Sequence, residues 1–272
     1  MIKLLQIELR KIVPYKMFWV MSGIYFLSMV FFFYGLPSLI DYFTMQSKAP
    51  EVKLLMKFLY NFPDIWQNLA WAASLRLFIK IFLGMIIIIL VTNEYSFLTI
   101  RNNVINGLSR TDFLLSKVYV AILFSIVATV LIFITGTVLG LIYSTTVNAH
   151  VYFGKMIFLL GYFVETLTFL LFSMMMGILV RRTGFAIGVL FVYPIIELII
   201  QQKVPEAIKP FLPLNAMNHI LRTPNTSLIQ FRSPEFNVDL QTGLNSQDVI
   251  VALLYAAVFV GISLWVIRKR DL

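Results

Sequence analysis

The sequence contains no cysteine, and this absence excludes several kinds of chemistry. Disulfide bridges, thiol nucleophiles and cysteine-ligated metal sites all need a side chain that the chain lacks. Charged residues are also scarce, at 13% of the chain, and Asp and Glu (13) are outnumbered by Lys and Arg (22). Because about a quarter of the residues in soluble domains are charged, this chain has too little polar surface to fold as a water-soluble protein.

The sequence also lacks the common motifs of catalysis. It has no G-x-x-x-x-G-K-[ST] phosphate loop and no G-x-S-x-G nucleophile motif, and neither His150 nor His219 has a second histidine nearby for a zinc site. We therefore expect no catalytic residue, no metal site and no cofactor bound by this chain, and an intramembrane enzyme is the least favoured class. The formal net charge of +9 is spread between long apolar runs, which favours anionic membrane lipids over nucleic acid as a partner.

Apolar residues make up 60% of the chain and are gathered in long runs. A helix needs about 17 to 25 predominantly apolar residues to cross the roughly 30 Å hydrocarbon layer. We expect an all-α integral membrane protein with six transmembrane helices, at 17–36, 75–91, 118–143, 156–180, 183–200 and 249–267. Only Arg181 and Arg182 separate the fourth and fifth spans, which we treat as two because about 45 residues are too many for one.

Lys and Arg predict the orientation of these spans. On one side of the membrane they lie in short segments next to the spans, whereas on the other side they are spread over long loops that also hold many acidic residues. Short cytoplasmic segments carry an excess of basic residues. We therefore predict that both termini are cytoplasmic and that residues 93–117 and 181–182 also lie on that side.

The remaining segments complete one predicted transmembrane domain over residues 1–272. Residues 1–16 are predicted to form an interfacial helix, with Ile2, Leu5, Leu9, Ile12 and Val13 on one apolar face and a break at Pro14. The external stretch 37–74 is predicted to lie on or in the outer interface. The external loop 201–247 contains prolines that favour short re-entrant or surface helices.

The connection between the second and third spans has the most informative pattern outside the membrane. Its apolar residues at helical spacing are Phe97, Ile100, Val104 and Leu108. They predict an amphipathic helix that carries Arg101 on the same face. A turn at Asn106-Gly107 follows this helix. Ser109 and Asp112 form a capping box that starts the next helix. This pattern is typical of a segment that docks onto a partner, and the alternative is a plain cytosolic connector.

These features together resemble the permease subunits of ABC transporters of the type-2 exporter class. The resemblance rests on the interfacial helix, the six spans, Glu94 at the inner end of the second span, the Gly-Leu-Ser-Arg sequence at 107–110, Lys117, and the long external loop. The layout covers nearly the whole chain, and the motif itself is the segment 93–117. Many members of the family carry a proline before the Ser-Arg pair, where this chain has Gly107-Leu108.

The resemblance implies partners and a mechanism. In that family the connection between the second and third spans is a coupling helix seated on the nucleotide-binding domain, and two permeases form the pathway. The chain would need two ABC ATPase subunits, which bind ATP and Mg, and a second copy or a paralogue of itself, in a bacterial plasma (inner) membrane. The implied ATPase-coupling residues are Glu94, Phe97, Arg101, Val104, Gly107, Ser109, Arg110 and Lys117.

The substrate is expected to be a lipid, a peptide or another amphipathic compound, because the spans offer mostly apolar side chains. Two other classes of function remain open. One is a secondary transporter or channel without an ATPase, and the other is a membrane scaffold or assembly protein.

Three charged residues within the spans are candidates for the pathway or a gate. They are Lys80, Glu165 and Glu197, and a charge at such a depth is costly unless it faces protein or water. Counting about 1.5 Å per residue places Lys80 and Glu197 at similar depths below the external surface, so we predict that they pair. The alternative is that Lys80 snorkels to the interface and that Glu165 is a neutral packing residue.

Overall fold

The computed structural model describes residues 2–35, 42, 59–74, 79–97, 99–100, 105, 107–144, 147–223 and 241–269. This part of the chain is helical and contains no strand. Its α-helices are α1 (Ile2–Ile12), α2 (Lys16–Val30), α3 (Ile65–Ser74), α4 (Lys80–Ser96), α5 (Arg110–Tyr143), α6 (Ala149–Phe153), α7 (Ile157–Val180), α8 (Thr183–Lys203), α9 (Pro213–Asn218) and α10 (Ser246–Lys269). A π-helical turn at Phe31–Gly35 continues α2, and the 3₁₀ turns Lys209–Phe211 and His219–Leu221 flank α9.

Five helical stretches in the described residues are long and apolar enough to cross a membrane, which fits a multi-pass membrane protein. They are Lys16–Gly35, Arg110–Tyr143, Ala149–Val180, Thr183–Lys203 and Ser246–Lys269, and they correspond to five of the six predicted spans. The predicted second span, 75–91, corresponds to α4, which has 17 residues and is not among the five. It begins at Lys80 and continues to Ser96, and residues 75–78 lie outside the described part.

Helix α7 forms the centre of the bundle. It packs against α3, α4, α5, α8 and α10, and most of its side chains are buried. In contrast, α2 and α8 leave many large apolar side chains exposed, for example Leu27 and Phe185. In a membrane protein these exposed faces contact lipid or another protein, whereas the faces of α7 contact the rest of the chain.

Helix α3 is buried inside the bundle, a packing that the predicted position of the stretch 37–74 at the outer interface did not include. Trp66 is fully buried, and its Nε1 donates a hydrogen bond of 2.6 Å to the carbonyl of Tyr152. Gly136 of α5 allows the close approach, since a Cβ atom there would lie 2.6 Å from Cζ3 of Trp66. Gln67 Nε2 donates to the carbonyls of Thr223 and Gln241, which ties α3 to the segments around α9 and α10.

Several predicted helix ends are confirmed. Ser109 caps α5, because the backbone N–H of Asp112 donates to its Oγ at 3.0 Å. Gly107 has a φ of 92°, a left-handed conformation that glycine adopts at little cost, as the predicted turn requires. Arg181 ends α7 in the left-handed region with a φ of 58°. This break separates α7 from α8 at the predicted pair of arginines.

The two cytoplasmic predictions outside the spans have different outcomes. Helix α1 ends at Ile12, two residues before Pro14, as predicted, but Val13 is exposed and Glu8 joins Ile12 in the buried set. The predicted coupling helix, by contrast, lies only partly within the described residues, and Arg101 and Val104 are among those not described. Of its predicted apolar face, Phe97 is exposed whereas Ile100 is buried.

Candidate functional site

Four charged side chains from three helices meet at the end of the bundle predicted to be cytoplasmic. Lys117 of α5 donates hydrogen bonds to a carboxylate oxygen of Glu8 in α1 and, at 2.9 Å, to Oε1 of Glu94 in α4. Lys11 of α1 donates to the same Oε1 of Glu94 at 2.8 Å, and its Nζ lies 3.7 Å from Oε1 of Glu8. We call Glu8, Lys11, Glu94 and Lys117 the charge cluster.

Every carboxylate oxygen of the charge cluster has a partner. Besides the lysines, Ser116 donates to Oε1 of Glu8 at 3.1 Å, and Thr99 donates to Oε2 of Glu94. Glu8, Glu94 and Lys117 are buried, while Lys11 reaches solvent. Complete bonding matters because a buried charge is tolerated only when ion pairs and hydrogen bonds replace the water that it loses.

The electrostatics keep both ends of the Glu94 to Lys11 ion pair charged. Glu94 lies beyond the predicted end of the second span. Burial raises its pKa, but the charge of Lys117 and hydrogen bonds from Lys11, Thr99 and Lys117 outweigh this and lower the pKa to about 2. Burial lowers the pKa of Lys11, while the hydrogen bond to Glu94 and the charges of Glu8 and Glu94 leave it raised overall.

The structure brings together two of the predicted coupling residues, Glu94 and Lys117, but not all of them. Ser109 caps α5, eight residues before Lys117 in the chain. Phe97 lines the same pocket of 230 Å³ as Glu94 and Lys117. Arg110 instead reaches α10, where its guanidinium donates to the carbonyls of Ile267 and Arg268 at 3.0 and 2.9 Å. These contacts also place the end of α10 at the same end of the bundle as α1.

Sequence reasoning missed Glu8 and Lys11. A signal for Glu8 was present, because it stands between Leu5 and Ile12 at helical spacing, on the face of α1 predicted to be apolar. An acidic residue on such a face needs a cationic partner. The sequence offered no way to identify Lys117, which is more than a hundred residues away, as that partner.

A second charged site lies deeper in the bundle. Lys80, the first residue of α4, donates to Oε1 of Glu165 in the middle of α7, and the two side chains are 2% and 0% exposed. The Nζ of Lys80 also lies 5.5 Å from the centre of the Phe169 ring. At about 1.5 Å per residue, Lys80 lies roughly 21 Å along α4 from Glu94. We call Lys80 and Glu165 the intramembrane pair.

The predicted pairing of Lys80 with Glu197 is therefore wrong. Glu197 accepts hydrogen bonds from the backbone N–H groups of Leu214 at 3.0 Å and Asn215 at 2.7 Å. These groups belong to the first turn of α9, whose N–H groups have no partner within the helix. The carboxylate of Glu197 satisfies them, and its position is fixed by α9 rather than by Lys80.

The described residues contain no group of three or more His, Asp and Glu side chains placed to hold a metal ion. The two sites are built instead from ion pairs and hydroxyl groups. Chemically they can hold helices together, or release them when a partner is lost.

The five long apolar helices of the described residues fit a multi-pass helical membrane protein. The chain matches the family model described as "Protein of unknown function (DUF2705)" over residues 25–272, and it belongs to that family. The matched range includes the intramembrane pair, Glu94 and Lys117, but it begins after α1. No curated protein and no solved structure is significantly similar to the chain.

Proposed function

We propose that this chain is the permease subunit of an ATP-driven exporter of the type-2 ABC class. It would work with a second copy or a paralogue and with two ATPase subunits that bind ATP and Mg, in the bacterial plasma (inner) membrane with both termini in the cytoplasm. One observation carries the proposal: the connection between α4 and α5 is held at both ends by the charge cluster and exposes apolar side chains between them.

The exposed side chains suit a protein partner. Phe97 and Ile105 are 69% and 73% exposed, and both lie beyond the predicted end of the second span, in the segment predicted to be cytosolic. Large apolar side chains that face water cost free energy, and neighbouring ones often mark a contact surface. An ATPase subunit seated on the connection would cover them.

The charge cluster links the contact surface on this connection to the helices of the bundle. Glu94 precedes the connection and Lys117 follows it, and their side chains are bonded to each other and to α1. Separating buried ion pairs is strongly unfavourable. A push on the connection would therefore move α1, α4 and α5 together, as a permease driven by ATP binding requires.

The first experiment is co-purification of the tagged, detergent-extracted chain from its native membrane. We expect a stoichiometric partner that carries a G-x-x-x-x-G-K-[ST] phosphate loop and hydrolyses ATP in the complex. Replacing Phe97 and Ile105 by Asp should release this partner or abolish stimulated ATP hydrolysis while the chain stays in the membrane. Arg110 is unsuitable for this test, because its contacts with α10 would be lost as well.

The control is Val147→Asp, which also replaces an exposed apolar residue, but between α5 and α6 at the other end of the bundle. It should keep the partner. A chain that purifies alone and responds to an ion gradient would be a secondary transporter or channel. A partner without a nucleotide-binding motif would indicate a scaffold or assembly protein.

A further inference from the structure

A pocket of 580 Å³ lies at the external end of the bundle, between α3, α8, α9 and the 3₁₀ turn that follows α9. Its volume falls within the roughly 300 to 1,000 Å³ that is usual for small-molecule sites. Its polar wall includes Gln201, Asn218 and His219, and its apolar wall includes Leu198 and Leu214, with Trp71 of α3 contributing an aromatic side chain.

The charged groups of the pocket are already engaged. Both oxygens of Glu197 accept backbone N–H groups of α9. The guanidinium of Arg222 donates to Asp248 at 2.7 Å. Among the described residues that line the pocket, the one cation is Arg222, and an anionic head group would find it already paired.

The polar groups that remain are uncharged. Burial, followed by the charge of Arg222, lowers the pKa of His219, which favours the neutral form of its imidazole. Its Nδ1 is buried and bonds to none of the described residues. A neutral imidazole and the side-chain amides of Gln201 and Asn218 each offer both a donor and an acceptor, which matches hydroxyl groups because these also donate and accept.

The apolar wall is continuous with the exposed apolar surface of α8. Leu198 is 48% exposed, and Ile195 and Ile199, on neighbouring positions of the same helix, are also exposed. A molecule in the external leaflet could thus place its chain along α8 and its head group in the pocket without crossing the membrane.

We propose that this pocket binds an amphiphile of the external leaflet with an uncharged, polyhydroxylated head group. The head group bonds to His219, Gln201 and Asn218 beside Trp71, and the chain lies against Leu198 and its exposed neighbours on α8. The site is formed by this chain alone, so it does not depend on an ATPase partner and can be tested without one.

The test is photo-crosslinking of the purified chain in phosphatidylcholine nanodiscs. Two probes carry the same diazirine-bearing decyl chain, one with a maltose head group and one with a phosphocholine head group. We expect the maltoside to label peptides covering 194–201 and 214–222 about tenfold more than the phosphocholine probe, which corresponds to roughly 1.4 kcal/mol of binding preference. Excess unlabelled decyl maltoside should remove this labelling.

Variants locate the site within those peptides. Gln201→Leu and Asn218→Leu should each lower the maltoside labelling severalfold, whereas Asn148→Leu, at an exposed position outside the pocket, should not change it. Equal labelling by the two head groups, or labelling along α8 that unlabelled maltoside cannot displace, would overturn the proposal. The comparison of the two probes on the unaltered chain decides the question even if a variant fails to fold.

Discussion

The charge cluster and the intramembrane pair both bury charged side chains, but they differ in how many of their carboxylate oxygens have a bonding partner. In the charge cluster, two lysines, two glutamates and two hydroxyl groups leave no carboxylate oxygen without a partner. In the intramembrane pair, one oxygen of Glu165 bonds to Lys80, while its other oxygen bonds to none of the described residues. One site is fully bonded and the other is not.

This difference indicates how each site responds to the loss of one charged side chain. Loss of one lysine from the charge cluster leaves the other lysine to neutralise Glu94, so the helices stay joined. Loss of either member of the intramembrane pair leaves an unpaired charge in the core, because no second partner is present among the described residues. We therefore expect the charge cluster to tolerate the loss of one lysine, and the intramembrane pair to be disrupted by the loss of either of its members.

The largest predicted effect is at the intramembrane pair. Lys80→Met and Glu165→Gln should each lower the free energy of unfolding in detergent by about 3 to 5 kcal/mol, because each leaves its partner buried without a counter-charge. The double variant should recover much of the loss, since it removes both charges together. Chemical denaturation of all four proteins measures this coupling.

The matched control for this cycle is the ion pair of Lys155 with Asp64, which is partly exposed and has an Nζ to Oδ1 distance of 2.7 Å. Lys155→Met should cost only about 1 kcal/mol or less, as is usual for pairs near solvent. If the losses from Lys80→Met and Glu165→Gln simply add in the double variant, the two charges do not meet and the contrast between the sites disappears.

A smaller and graded effect is predicted within the charge cluster. Lys117→Met removes the cation bonded to both glutamates and should cost about 2 to 3 kcal/mol, since Lys11 still bonds to Glu94. Lys11→Met should cost about 1 kcal/mol, because Lys11 reaches solvent and Lys117 keeps its bond to the same oxygen of Glu94. Chemical denaturation of both variants shows which substitution lowers the free energy of unfolding more. Equal decreases would contradict the conclusion that Lys117 bonds to both glutamates while Lys11 mainly supports Glu94.

The sequence predicted the local features of the fold well and the long-range contacts poorly. The cap at Ser109 and the break at Arg181 depend on a few adjacent residues, so the local pattern contains them. Depth along a helix is also local, and it placed Lys80 and Glu197 at similar heights. The sequence could not show how each helix is rotated about its own axis. That rotation determines that Lys80 of α4 faces Glu165 of α7.

The candidate sites illustrate the same limit. The resemblance pointed to Glu94 and Lys117, but their partners on α1 are 83 and 109 positions away in the chain, and no periodic pattern connects such distant residues. The burial of α3 was missed for a related reason. Its aromatic residues suit a membrane interface, and only the tertiary packing against Gly136 shows that Trp66 is buried in the protein core.

The smallest predicted effect is the pH dependence of the charge cluster, and it sharpens the contrast because Lys11 connects this site to solvent. The pKa of Glu94 is lowered from 4.5 to about 2 in the folded chain, so the unfolded chain takes up the proton first as the pH falls. The stability that Glu94 contributes is present above pH 4.5 and is lost as the pH approaches 2. Between pH 7 and pH 4 this loss amounts to about 1 kcal/mol.

Glu94→Gln isolates this contribution from that of the other carboxylates. Glu94 faces Lys11 and Glu8 from α1, Lys117 from α5 and the hydroxyl of Thr99, and only the variant removes its own titration while keeping those neighbours. Unfolding free energies at pH 7, 5 and 4 should show the advantage of the unaltered chain over Glu94→Gln shrinking by about 1 kcal/mol. An advantage that stays constant over this range would mean that Glu94 has the same pKa in the folded and unfolded chains, and the bonds from Lys117 and Lys11 would then not favour its charged form.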